Sequence, residues 1–176
     1  MRPAVSNGRV SARAAIVCVA VLAILMTAAC GAFAAKPTAC DGLVYKEGGL
    51  TRAEYLPCAG EMMATLDRLA PQIEKMLDGD ASARSDASAG VRELRTLLNK
   101  AGGRNMLERW DDRALTSLNV NISNTFHHHQ ACMMVAGQMF GSAPLGDEKF
   151  REAAKSECRA YRPPYADATR AYGRLR

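Results

Sequence analysis

Met62, Leu66, Leu69, Ile73 and Met76 recur at spacings of 4, 3, 4 and 3 residues, the spacing of one face of an α-helix. No stretch of useful length alternates apolar and polar residues as a strand does, and no internal repeat is present. A chain with helical seams alone buries its apolar residues by packing helix on helix. The predicted fold class is all-α: a small four- or five-helix bundle with two disulfides, after an N-terminal signal peptide.

The leader is read from its order of chemistry. Arg2, Arg9 and Arg13 form a cationic start, Ala14 to Met26 is continuously apolar, and Ala32-Phe33-Ala34 offers a small-residue cleavage site. Charge, short apolar core and small residues in that order mark a secretory signal peptide. The apolar run is shorter than the roughly 20 residues that span a bilayer. Residues 1–34 are therefore expected to be removed, leaving 35–49 as an irregular lead-in and 50–176 as the helical domain. An alternative boundary exists, because Thr27-Ala28-Ala29-Cys30 loosely resembles a bacterial lipobox. Acylation at Cys30 gives a lipoprotein leader of 1–29 and tethers the domain to a membrane, whereas cleavage after Ala34 releases it.

Removing the leader changes the charge. The whole chain has 23 Lys and Arg; setting aside Arg2, Arg9 and Arg13 leaves 20 against 18 Asp and Glu, a net of +2. Nucleic-acid binding then loses its main compositional support. About 140 residues suffice for one core.

Four cysteines follow the leader: Cys40, Cys58, Cys132 and Cys158. An even count in an exported chain favours a disulfide framework, and four cysteines allow three connectivities. If Gly141 to Gly146, with Pro144, turns the chain back, Cys132 and Cys158 lie at depths that differ by about 5 Å at helical rise. They then face each other across an antiparallel hairpin, and Cys40 pairs with Cys58. That connectivity is the expected one.

Along the chain, Thr51-Arg52-Ala53-Glu54 has the pattern of a capping box. Pro71 lies inside the seam that follows and is expected to kink or split that helix, and Asp78-Gly79-Asp80 ends it. Ala81 to Gly90 has no large apolar residue and reads as a linker or a poorly packed first turn. From Ala87 the residues Val91, Leu94, Leu98 and Ala101 resume a helical seam, closed by Gly102-Gly103. The longest block runs from Asn105, an expected N-cap, to Gly141. Its expected buried face is Leu107, Ala114, Leu118, Ile122, Phe126, Met133 and Phe140, widened by Trp110 and Leu115. Asn119, Asn121, Ser123, Asn124 and Thr125 are poor helix formers, so this block is either one weakened helix or two broken near Asn121. Asp147 is an expected cap for the next helix. That helix carries Phe150, Ala154, Cys158 and Tyr161, and Pro163-Pro164 stops it. A short terminal helix follows in a locally basic tail.

The conspicuous chemistry is His127-His128-His129, three residues before Cys132. Consecutive side chains on a helix diverge by about 100°, so the three cannot converge on one ion. His129 with Met133, at i and i+4, offers one nitrogen and one sulfur to copper or haem iron. His128 with Cys132 suits zinc or a nucleophilic site only if Cys132 is a free thiolate. The candidate metal residues are His128, His129 and Met133; the candidate lipidation residue is Cys30. No C-x-x-C-H, G-x-S-x-G, H-E-x-x-H or P-loop pattern occurs, and no catalytic residue is assigned.

The function expected is therefore an exported, periplasmic or secreted, non-catalytic helical domain. It would act as a protein-binding or envelope accessory factor, with another envelope or secreted protein as partner and no resident cofactor. The alternative is a copper or haem carrier built on His127 to Met133, and a third is a membrane-anchored lipoprotein.

Overall fold

In the computed structural model, residues 37–44, 47–102, 110–139 and 148–176 are described. The leader, Cys30, Asn105, Leu107, Phe140 and Asp147 lie outside them. Five helices account for most of the described chain: α1 (Arg52–Leu77), α2 (Ala81–Lys100), α3 (Arg113–Met139), α4 (Glu148–Arg159) and α5 (Arg162–Leu175). Pro37 to Arg176 forms one unit.

α1 opens on the expected capping box, with the Glu54 carboxylate accepting from the Thr51 backbone N–H at 2.8 Å. Every residue of the founding seam, Met62, Leu66, Leu69, Ile73 and Met76, is buried. Pro71 does not split the helix. α1 runs for 26 residues through Pro57 and Pro71, because a long buried face outweighs the hydrogen bond that each proline removes.

Only Asp78, Gly79 and Asp80 separate α1 from α2. Gly79 holds φ at +97°, a left-handed conformation that costs a side chain little only when the side chain is absent. The Asp80 carboxylate then accepts from the Ser82 and Ala83 N–H groups at 2.9 and 3.3 Å, a standard N-cap. Residues 81–90 are thus the first half of a 20-residue helix, not a linker. Ala83 and Ala87 are buried, and a Cβ on Gly90 would lie 3.2 Å from Leu69 Cδ1. Small residues there are what close approach of α1 and α2 requires, and a reading that counts large apolar side chains misses them.

α3 begins at Arg113, capped by Asp112, whose carboxylate accepts from the Ala114 and Leu115 N–H groups at 2.9 and 3.2 Å. Trp110 precedes the helix instead of riding on it. Its ring meets Tyr55 edge-on, with centroids 4.8 Å apart, and fills the space beside Gly49. From Arg113 to Met139 the helix is unbroken. Its polar middle is accommodated: the buried Tyr55 hydroxyl donates to Asn119 Oδ1 at 2.5 Å, and Thr125 Oγ1 donates to the Asn121 carbonyl at 2.7 Å. The buried face consists of Leu115, Leu118, Ile122, Phe126, His129, Cys132 and Ala136. Ala114, expected on that face, is exposed.

Both disulfides have the expected connectivity, Cys40–Cys58 and Cys132–Cys158. The first fastens the lead-in to α1. Beside it the Ala39 N–H donates to Glu61 Oε1 at 2.9 Å, and Asp41 pairs with Lys100 at 2.6 Å. The second joins α3 to α4. α5 starts directly after α4, with Pro163 and Pro164 in its first turn, where a missing N–H is harmless. α1 packs chiefly on α2, and α3 on α4 and α5, with α1 and α5 meeting between the two groups.

Candidate functional site

The three histidines of α3 fan apart as the helical repeat demands. The His127 ring lies 5.3 Å from that of Phe126, and His128 is partly exposed with Nδ1 3.9 Å from Glu157 Oε1 on α4. His129 is fully buried, its ring 4.4 Å from that of Tyr161. Neither His129 nitrogen has a hydrogen-bond partner among the described residues. Burial, and secondarily the neighbouring His128 charge, bring the His129 pKa down to about 4. An imidazole in that setting is neutral at pH 7 and acts as a flat apolar filler with two costly orphaned atoms.

Met133 is partly buried and lines a groove between α2 and α3, whereas His129 stacks on Tyr161 at the α4–α5 junction. The copper or haem pair read from the i, i+4 spacing thus makes contacts in two different places. No group of three or more His, Cys, Asp or Glu among the described residues is arranged to hold a metal ion. Cys132 is fully buried and bonded to Cys158, so the thiolate that a His128–Cys132 zinc pair or nucleophile needs does not exist in the oxidised domain.

Around the α4–α5 junction, Glu74 of α1 gathers three donors. Arg162 is 2.7 Å away, while Arg159 and the Tyr161 hydroxyl are each at 3.3 Å. Burial pushes the Glu74 carboxyl up, but the Arg162 and Arg159 hydrogen bonds outweigh it and hold it below its ordinary value. This cluster ties α1 to the end of the chain and is internally satisfied, which is the behaviour of a structural clasp.

The α2–α3 groove differs. It is open, about 430 Å³ in volume, and lined by Ala81, Arg84, Ser85, Ser88, Arg92 and Met133, with no carboxylate among the described lining residues. Arg84 lies beside Gly137, and the Arg95 guanidinium sits 5.9 Å over the Phe126 ring, so the two helices run antiparallel. Arg84, Ser88, Arg92 and Arg95 follow one another at spacings of 4, 4 and 3 residues and form a single stripe facing α3. On the opposite flank of α2, Asp86 and Glu93 border a second depression with Arg68, and Glu93 pairs with Arg68 at 2.7 Å. α2 thus sorts its charges, with acids toward α1 and arginines toward α3.

No family model, curated protein or solved structure matches the chain.

The arginine stripe is the part of the surface that sequence reasoning missed. Its helical spacing becomes meaningful only once residues 81–90 are known to be helix, and the signal for that was the Asp80-x-Ser82 cap.

Proposed function

We propose that the chain is an exported helical domain, periplasmic or secreted, that works by binding another envelope or secreted protein. The observation that supports this reading best is the α2–α3 groove. It is an open, polar and cationic surface bordered by Met133, on a frame stapled by two buried disulfides. Disulfides persist in oxidising, non-cytoplasmic compartments, which fits export. No helix of the described residues is long and apolar enough to cross a membrane; acylation of Cys30 would attach the domain to one. Intact mass of the protein from its own host separates cleavage before Ala35 from that modification. The test of the function is crosslinking of the mature domain in envelope extract followed by native separation. A specific heteromeric species is expected, and a domain that remains free and monomeric under both conditions overturns the reading.

A copper or haem carrier is the second reading, and one observation favours it: both nitrogens of buried His129 are without a partner. Reduced copper titrated against the purified domain decides between them. A carrier loses affinity in His129→Ala, whereas a protein-binding domain shows no stoichiometric uptake.

A further inference from the structure

We infer that the α2–α3 groove, together with the arginine stripe that continues past it to Arg95, is the docking site for an acidic protein segment interrupted by an apolar residue, its carboxylates meeting Arg92 and Arg95 and its apolar side chain lying against Met133. This rests on the partner-binding reading above and assigns it a surface and a chemistry.

Charge complementarity carries the inference. Arg92 and Arg95 are exposed, and among the described residues neither takes part in an ion pair. Arg92 donates to the neutral Ser88 hydroxyl at 2.7 Å, and Arg95 is held over the Phe126 ring. Both guanidiniums are therefore oriented by neutral partners and keep donors for a carboxylate, which an arginine fork binds in two-point fashion. The acids of the same helix cannot serve, because Asp86 and Glu93 lie on the flank toward α1. Ser85 and Ser88 add hydroxyls between the cations.

Length and shape narrow the ligand. Arg84 to Arg95 covers about 16 Å of helix, which matches about five residues of extended chain. Arg84, half-buried, and Arg92 line a trough between two helices with Met133, a shape that suits a narrow chain. A nucleic acid needs a broad basic field, whereas the chain beyond the leader nets only +2. Met133 gives the trough an adaptable apolar wall, and the next residue, Met134, is 66% exposed.

The experiment uses the oxidised mature chain and a dye-labelled eight-residue peptide of Glu and Asp interrupted by Leu, followed by fluorescence anisotropy. Saturable binding is expected, weakening as salt rises because the pairing charges are exposed. Arg92→Gln/Arg95→Gln should lower affinity by about fivefold or more, and Arg68→Gln, on the other flank of α2, should leave it unchanged. Glutamine preserves helix propensity, and circular dichroism verifies the fold of each variant. Absence of saturable binding, or an affinity indifferent to the double substitution, overturns the assignment. So does arginine-dependent binding to vesicles of phosphatidylcholine and phosphatidylglycerol that is tighter than binding to the peptide. If the envelope partner still crosslinks to the double variant, the groove is wrong and the partner-binding reading stands. If no partner crosslinks but the peptide binds with the stated arginine dependence, the groove chemistry holds and the wider reading falls.

Discussion

Lowering the pH from 7 to 5 should weaken this domain, and His129 should account for most of the loss. The imidazole pKa is brought from its ordinary 6.5 down to about 4 in the folded domain, where burial and then the His128 charge disfavour its proton. Between those values the unfolded chain binds more protons than the folded one, so stability is present in full above the unfolded pKa and lost as pH falls through the folded pKa. The complete transition corresponds to about 3 kcal/mol, of which about 2 kcal/mol falls between pH 7 and pH 5. Carboxylates do not obscure this window. Asp41, Asp80 and Asp112 are held below an ordinary value of 3.8, and Glu74 and Glu152 below one of 4.5, so their contributions disappear only in stronger acid. Urea unfolding of the oxidised domain at the two pH values is the assay. The wild-type midpoint should fall by about 1 M for a domain of this size. His129→Leu should abolish most of that drop, because leucine fills the site beside Tyr161 and takes up no proton. His127 and His128 remain in both proteins and cancel in the comparison. An equal drop in wild type and His129→Leu would refute the reasoning and place the acid sensitivity elsewhere.

Three further outcomes follow from the packing. Tyr55→Phe removes the hydroxyl that satisfies buried Asn119 and should cost about 1–3 kcal/mol in chemical denaturation. Adding Asn119→Leu should recover part of that, seen as coupling in a double-mutant cycle. A Cβ on Gly60 would lie 2.5 Å from the Tyr172 hydroxyl oxygen but 3.5 Å from Cζ. Gly60→Ala should therefore lower the melting temperature in the wild-type background. In Tyr172→Phe, by contrast, it should contribute up to about 1 kcal/mol through helix propensity. Replacing Cys132 and Cys158 together by Ala opens a loop of 26 residues and should cost about 3 kcal/mol, measured against the oxidised parent.

Local chemistry was readable wherever a few neighbouring residues decide it. The seam from Met62 to Met76 and the Thr51–Glu54 cap depend on contacts within one or two helical turns, so spacing alone reveals them; Tyr161, expected on α4, instead caps α5, whose first turn holds Pro163 and Pro164. The disulfide pairing was also accessible, because a hairpin places Cys132 and Cys158 at similar depth whatever the rest of the bundle does. Alternatives stayed open where a partner element sets the outcome. Pro71 and the run from Asn119 to Thr125 weaken isolated helices. Of the alternatives they left, the structure takes the unsplit helices, since burial of a long face and the Tyr55–Asn119 hydrogen bond outweigh weak local preferences. Residues 81–90 lack large apolar side chains, yet Ala83, Ala87 and Gly90 are what lets α2 settle closely on α1.

The sequence by itself therefore determined that the chain is helical and which cysteines can join. Helical period and cysteine count need no knowledge of neighbours. The tertiary structure alone decided what the conspicuous residues do. It turned His129 inward against Tyr161, where desolvation keeps it neutral. It also laid α2 along α3 so that Arg84 and Arg92 border one groove with Met133, while Arg95 continues their stripe over Phe126. Burial and juxtaposition are properties of packed pairs of helices, and no single helix encodes them.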